Sequence, residues 1–467
     1  CTLSAFMLIP GFVDYILGDE DWAAFLVSSF ITLFVGAGLY LSSRESNPEH
    51  LELRQAFLLT NSAWISISLF GSLPFLFSNL NLNFIDAFFE STSGITTTGS
   101  TIIPNLEQVS YGILLWRALL QWLGGIGIIV MAVAILPMLS IGGMQLFKTE
   151  SYETPDKIIP RAAIFASGIS IVYIVLTSTW AFMLWLAGMP IFDSITHAMT
   201  TLATGGYSTK SESLGAFNSV NIEMIIVFGM IVGSLPFIHY LSILKNGWKN
   251  LINDQQVKWF LLILFFLISI VTFNLYINGQ NFFSSLRVSI FNVVSIVTGT
   301  GFGTDDFSKW GGFATTLLLI LMFMGGCAGS TTCGLRMARI QVLIANAKTQ
   351  VLKLLTPHAV IIPYYNRKPI PESVTESVMG FFFLYILVFI IISCLLGSLG
   401  LDFMTSLSGA ASAIGNVGPG LGEMIGPNGT YAEIPNLGKL ILCLGMILGR
   451  LEIFAILVMF TASFWKK

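Results

Sequence analysis

A seven-residue pattern occurs four times in this chain: Ser93-Gly94-Ile95-Thr96-Thr97-Thr98-Gly99, Thr200-Thr201-Leu202-Ala203-Thr204-Gly205-Gly206, Ser295-Ile296-Val297-Thr298-Gly299-Thr300-Gly301 and Ser412-Ala413-Ile414-Gly415-Asn416-Val417-Gly418. Each copy opens on Ser or Thr, carries an aliphatic residue two places on, and closes on glycine. Each lies between long apolar segments, which marks a fourfold internal repeat in a membrane protein. Glycine lets the backbone reach φ > 0, and Ser or Thr adds a hydroxyl without bulk. Such a segment can run extended with its carbonyls turned to one side. Four of them around an axis make a ring of oxygens that replaces the hydration shell of a monovalent cation. Irregular backbone at membrane depth is tolerated only where protein buries it or water reaches it. The pattern therefore predicts a selectivity filter assembled from a single chain.

Composition agrees. The chain is 54% hydrophobic and 10% charged, with a mean hydropathy of +0.80; soluble domains carry about 25% charged residues. This is the composition of an integral membrane protein with lipid around it. A net charge of −3 argues against a nucleic-acid partner. The five cysteines show no metal or disulfide spacing. His50, His197, His239 and His358 form no HExxH, and no Ser–His arrangement is readable, so no enzyme is expected. The first residue is not Met, so the N-terminus reads as clipped, with no signal-peptide pattern.

Apolar runs that can span the hydrocarbon core need about 20 residues. They lie at 3–17, 23–43, 56–80, 110–140, 162–188, 219–244, 257–278, 312–345, 376–399 and 437–465. Setting the first two aside leaves four pairs, with one heptapeptide inside each pair. The expected fold is an all-α integral membrane protein. It has four pseudo-symmetric helix–pore helix–filter–helix repeats in one chain, plus an extra N-terminal helix pair. The predicted divisions are 1–45 for that pair, then 46–145, 146–250, 251–355 and 356–467 for the repeats. Residues 86–96, 193–203, 285–295 and 402–414 are predicted as short helices of roughly 16–20 Å, half a membrane. Asp86, Asp193, Asp402 and Ser284 or Ser285 are their expected N-caps. Capping there directs each negative dipole end towards the filter.

Basic residues set the orientation. Arg44 and Arg54; Lys148, Lys157 and Arg161; Lys245, Lys249 and Lys258; Arg336, Arg339, Lys348, Lys353, Arg367 and Lys368; and Lys466 and Lys467 all fall on one side, read as cytoplasmic. The other side offers Glu90, Glu107, Asp305, Asp306, Glu423 and Glu433 against Lys210, Arg287, Lys309 and Lys439. These acids are either a cation-concentrating mouth or ordinary solvated loop charges.

Gly99, Gly206, Gly301 and Gly418 are the predicted filter centre. Any one alone would read as a turn glycine; their common register argues for the filter. The coordinating carbonyls are assigned around them: Thr97, Thr98 and Ser100; Thr204, Gly205 and Tyr207; Gly299, Thr300 and Phe302; Asn416, Val417 and Pro419. The second helix of each pair carries small residues. For repeats one, two and four these read as close helix packing. Repeat three differs, because Gly325, Gly326, Cys327, Ala328, Gly329, Ser330, Thr331, Thr332, Cys333 and Gly334 form a small, polar run inside a span. Each helical Gly costs about 1 kcal/mol against Ala, so a broken helix with a flexible, gate-like loop beneath the filter is expected. Arg450 falls near the centre of the last run, where insertion costs at least about 2.5–3.5 kcal/mol. It is either half of an ion pair, with Glu452 or another acid, or a barrier to cations on the pore axis beside that loop. Its counterpart in repeat two is Ser234, and Arg117 is given no role.

With these features the chain resembles the TrkH/KtrB/HKT superfamily of potassium transporters. The extra N-terminal pair favours the bacterial TrkH branch. The resemblance covers the whole chain. It implies potassium uptake in the bacterial cytoplasmic membrane, with K⁺ as the transported ion and no organic cofactor. It also implies a homodimer with one pore per protomer, and a cytosolic TrkA-type nucleotide-binding ring that opens the gate. In that family the repeat-three loop and the last-helix arginine obstruct the pore. Glycine at position 99 matches potassium-selecting members, while serine there goes with sodium-preferring plant relatives. The alternative is a symporter coupling K⁺ to H⁺ or Na⁺. Coupled transporters use mid-membrane carboxylates, and few occur here besides Glu452, which favours a gated, channel-like path.

Overall fold

A chain in lipid must satisfy its own backbone polar groups, so the apolar runs become helices wherever glycine and proline allow. The computed structural model describes residues 1–43, 53–134, 158–366 and 368–466. The predicted boundaries at 45/46 and 145/146, and the charges of Arg44, Lys148, Lys157, Arg367 and Lys467, lie outside the described residues.

Helices α1 (Thr2–Leu17) and α2 (Trp22–Ser43) form a hairpin, and α1 also packs on the helix Tyr111–Ala134. α3 (Leu53–Gly71) and α4 (Leu73–Phe77) lead to the short α5 (Phe84–Ile95), then α6 (Tyr111–Ala134). α7 (Ile158–Leu186), the short α8 (Ile191–Leu202), α9 (Val220–Gly233) and α10 (Phe237–Asn246) follow. After α11 (Lys249–Asn253) come α12 (Gln255–Ile277), α13 (Phe282–Val297), α14 (Gly312–Leu321) and α15 (Met337–Leu355). A hairpin pairs β1 (Tyr364–Tyr365) with β2 (Lys368–Pro369) and precedes α16 (Glu372–Ser398). Then come α17 (Phe403–Gly415), α18 (Asn436–Leu451), α19 (Ile453–Leu457) and the four-residue α20 (Ala462–Trp465). Long helices such as α12 turn Leu262, Phe265 and Phe273 outward. The short helices are sunk in protein: Phe89–Ile95, Thr196–Leu202, Phe291–Val297 and Ser408–Gly415 are buried throughout.

Three expected spans are not straight. The run 219–244 bends by 93° between α9 and α10. Pro236 has no N–H to continue the ladder and pushes Leu235 out of helical conformation. The run 437–465 bends by 109° between α18 and α19, at Glu452, whose φ is 66°. The run 312–345 is helical only in α14 and α15, with the glycine-rich segment between them.

The N-caps differ from expectation in three of the four short helices. Asp402 does cap α17, accepting the Thr405 N–H at 3.1 Å. α5, however, begins at Asn83, whose side chain accepts the Asp86 N–H at 2.9 Å. Asp86 sits three places in and binds Lys439 Nζ at 2.6 Å. α8 starts after Pro190 with no side-chain cap, and Asp193 accepts the Thr209 hydroxyl at 2.7 Å. α13 is capped by Asn281 and is longer than expected, at 16 residues, with Ser285 already inside it. Asn serves as well as Asp or Ser at this position.

The heptapeptides have one backbone solution, and it is not extended throughout. In each, the N–H of the sixth residue bonds the carbonyl of the first: Thr98 to Ser93, Gly205 to Thr200 and Thr300 to Ser295 at 2.9 Å, Val417 to Ser412 at 3.0 Å. The fifth N–H bonds the second carbonyl, as in Thr97 to Gly94 at 3.0 Å and Asn416 to Ala413 at 3.4 Å. This is the Schellman closure of a helix, which needs a left-handed fifth residue. Thr97, Thr204, Gly299 and Asn416 supply it at φ 52°, 50°, 65° and 52°. The first half of the pattern is thus the last turn of a helix, and only the residues after it can form a ring.

Candidate functional site

The four loops meet head to tail. A Cβ on Gly99 would strike the Gly205 carbonyl oxygen, and one on Gly206 would strike that of Thr300. Likewise Gly301 faces the Val417 oxygen, and Gly418 faces that of Thr98 at 2.6 Å from the Cβ position. The order is one, two, three, four and back to one, a closed ring. All four glycines are left-handed, at φ 89°, 78°, 84° and 106°, a region closed to most side chains. Gly124, Gly233 and Gly449 repeat the logic one layer out: a Cβ there would run into the carbonyl of Ile95, Leu202 or Ile414, the third residue of the same repeat's heptapeptide.

Above the ring lies an open cavity of about 80 Å³, lined by the four glycines with Tyr207 and Pro419. Not every carbonyl assigned from sequence is free. Phe302 O accepts the Ser295 hydroxyl at 2.7 Å, Ser100 O that of Tyr207 at 3.3 Å, and Gly205 O the Gln121 amide at 2.6 Å. Gly418 O accepts three hydroxyls, from Ser100, Ser412 and Tyr431. Asn416 uses its side chain to bridge Thr98 Oγ1 and Met446 O, both at 2.9 Å.

The segment Gly325–Gly334 presses on the second loop from the other side. Thr331 Oγ1 is 3.1 Å from that of Thr204 and donates to Gly233 O at 2.9 Å. Cys327 N–H bonds Ser234 O at 2.9 Å, Ala328 N–H bonds Gln256 Oε1 at 2.9 Å, and Phe237 N–H bonds Gly329 O at 2.9 Å. Within the segment, Gly326 N–H bonds Thr332 Oγ1 and Ser330 Oγ bonds Cys327 O. Gly329 and Gly334 provide the left-handed corners, and a Cβ on Gly325 would meet Cys333 O. The helix is broken as expected. The loop, expected to be flexible, is densely hydrogen-bonded in this structure.

Arg450, 1% exposed, closes the arrangement. It donates to Thr331 O at 3.0 Å, Cys333 Sγ at 2.8 Å and Gly124 O at 2.8 Å. Its guanidinium therefore ties the loop to α6 beneath the ring, and its Nε has no partner among the described residues. The suggested ion pair with Glu452 is not formed. Glu452 binds Arg339 at 2.6 Å, with Arg336 at 3.7 Å, because the bend at Glu452 turns its side chain away from Arg450's helix face.

Comparison with known proteins follows the same lines. The family described as "TrkH: Cation transport protein" matches residues 22–467. The chain belongs to the TrkH family. "Trk system potassium uptake protein TrkI" of Halomonas elongata is 42% identical over 469 residues, covering 100% of this chain and 95% of that protein. "Trk system potassium uptake protein TrkH" of Escherichia coli (strain K12) is 39% identical, with 99% and 96% covered. The crystal structure of the potassium transporter TrkH from Vibrio parahaemolyticus superposes with a TM-score of 0.90 at 36% identity, covering 99% of this chain and 96% of that one. TrkH-family proteins are ion transporters and not enzymes, and this member is an integral protein of the bacterial inner membrane.

Some charges of this TrkH-family chain do other work than the sequence suggests. Glu90 is not at an outer mouth. It is 0% exposed, paired with Arg117 at 2.8 Å, and accepts the Ile102 N–H and the Thr101 hydroxyl. Arg117, given no role above, also donates to Ser208 O and lies 4.0 Å over the Tyr207 ring. The pair thus fastens the segments leaving loops one and two. Arg287 is spent on Glu223 at 2.6 Å, and Lys309 on Asp306 at 3.0 Å. Glu107 accepts from the Ser211 hydroxyl and N–H, which hold its carboxyl below the usual range. Gln121 is the other residue the sequence reading passes over. A signal for it exists: Arg117 and Gln121 are a polar i, i+4 pair on an apolar helix.

Proposed function

We propose that this chain takes up potassium across the bacterial cytoplasmic membrane through a gated, channel-like path. In this reading the four glycine loops are the selectivity filter, and Gly325–Gly334 with Arg450 is the obstruction. The carrying observation is the cyclic contact of each loop glycine with the next repeat's carbonyl oxygen. The relatives named for potassium uptake support the choice of ion. Thr98, Thr300 and Val417 present carbonyls at one level of the ring, and the C-terminal dipoles of α5, α8, α13 and α17 add negative potential there. A dehydrated cation gains from both. Beneath, the Arg450 charge sits where the ion must pass, and like charges repel strongly where water is scarce. Opening requires the loop to let go of Gly233, Ser234 and Gln256 and to carry Arg450's partners with it.

Supply of that energy falls to a cytosolic TrkA-type nucleotide-binding ring acting on a homodimer, as the family resemblance implies. Coupled symport with H⁺ or Na⁺ needs a carboxylate free to load and unload. Glu90 beside the ring and Glu452 beside the broken span are both held by arginines, which favours the uncoupled path. The test is ⁸⁶Rb⁺ uptake by the full chain in liposomes, with K⁺, Na⁺ and Li⁺ as competitors and the pH gradient varied. Potassium preference with uptake indifferent to the pH and Na⁺ gradients is expected; uptake driven by either gradient overturns the channel-like reading.

A further inference from the structure

α6 of the first repeat reaches into the second repeat's loop. Gln121, 0% exposed, donates from Nε2 to Gly205 O at 2.6 Å and accepts the Tyr207 N–H on Oε1 at 3.0 Å. Those two bonds bracket Gly206, the ring glycine of that loop. The contact is close enough that a Cβ on Gly205 would run into the Gln121 amide. On its other side the same Gly205 oxygen lies against Gly99. One carbonyl of the ring is therefore pinned between a side-chain amide and the neighbouring glycine.

The internal repeat says what this place needs for packing alone. Gly124, Gly233 and Gly449 are equivalent, since each rests on the third carbonyl of its own heptapeptide. Three residues before them stand Gln121, Met230 and Met446, all fully buried. Methionine fills the site in the second and fourth repeats, and it is close to glutamine in length. The amide of Gln121 is thus surplus to packing. Its two hydrogen bonds go only to backbone of the ring.

We infer that Gln121 is a specificity-determining positioning residue. It holds the Gly205 carbonyl at the spacing that suits K⁺ and keeps the loop from closing onto a smaller cation. The inference rests on the filter reading above. Discrimination between K⁺ and Na⁺ depends on the spacing and number of coordinating carbonyls. A carbonyl restrained by a buried amide donor cannot drift inward without breaking that bond. In the third repeat α14 ends at Leu321, just short of this register, and the fourth restrains its loop through Asn416. The restraint by glutamine belongs to one quarter of the ring.

The experiment compares Gln121→Met, the residue carried by two other repeats, with Gln121→Glu. As a carboxylate, the glutamate keeps an acceptor for Tyr207 and loses the donor to Gly205. Full-length protein in liposomes is assayed for ⁸⁶Rb⁺ uptake with Na⁺ and K⁺ as competitors, and Gly99→Ser serves as control. In both Gln121 variants Na⁺ is expected to become a better competitor relative to K⁺ by about fivefold, the worth of one neutral hydrogen bond. Unchanged competition ratios in variants that transport overturn the inference. Loss of folded protein in both variants also overturns it, because the role is then structural. If Gly99→Ser shifts the ratio and Gln121→Met does not, only this inference fails. If neither shifts it, the filter reading fails as well.

Discussion

Gly99, like the other ring glycines, faces a carbonyl of the next repeat. At φ 89° with the Gly205 oxygen against its Cα, it has no room for a side chain. Gly99→Ser must displace that oxygen, so Na⁺ is expected to compete better for Rb⁺ uptake; an unchanged K⁺ to Na⁺ preference would count against its place at the filter centre. Arg450→Ala removes the charge below the ring and three hydrogen bonds. Basal Rb⁺ flux through the full chain is expected to rise; a fall at constant protein level would sink the barrier. The Glu90–Arg117 pair is a different kind of charge. Removing one partner of a buried pair costs about 3–5 kcal/mol, so Arg117→Met is expected to lower the thermal midpoint in detergent. Glu90→Gln together with Arg117→Met is expected to recover much of it, and thermal unfolding of the two variants beside the unsubstituted protein checks this.

At the scale of elements, the broken span between α14 and α15 is what separates this molecule from a plain helix bundle. Shortening Gly325–Gly334 by two residues removes its contacts with Gly233 and Ser234, and a constitutive Rb⁺ leak is expected; tight vesicles would argue against a gate in this segment. The break itself is readable in sequence, since ten small or polar residues cannot hold a helix together in a span. The bend between α9 and α10 is also readable, because Leu235-Pro236 ends helices. The bend after α18 is not. Nothing local marks Glu452, whose left-handed backbone is held in place by its long-range bond to Arg339. N-caps fall between these cases. Asn83 and Asp86 are three residues apart, and an acid inside the first turn satisfies the dipole nearly as well as a cap satisfies the amides. Composition does not separate them.

For the whole molecule, the fourfold pattern is visible because the same backbone problem recurs: close a short helix, then pass a glycine close to a neighbour. That problem restricts residue type at the fifth and seventh places, and restriction is what a sequence records. Which loop touches which depends on partners over a hundred residues away, so the order of the ring is open to the structure alone. The same holds for Gln121 and Glu90, whose partners lie on other segments. Long-range ties of this kind also join the outer loops. Ser211 holds the Glu107 carboxyl below its ordinary range, so the tie contributes stability above that range. Its contribution fades as pH falls through the lowered value. Ser211→Ala is expected to lower the thermal midpoint more at neutral pH than in acid, because the bond from the Leu106 N–H to Ser211 Oγ is lost at either pH; thermal scans at the two pH values check it.

Each ring glycine leans on the backbone of the quarter that follows, and the last leans on the first. No quarter therefore has an aperture of its own. Like stones in an arch, the four can settle only together, and a wedge driven in at one joint is felt at the joint opposite.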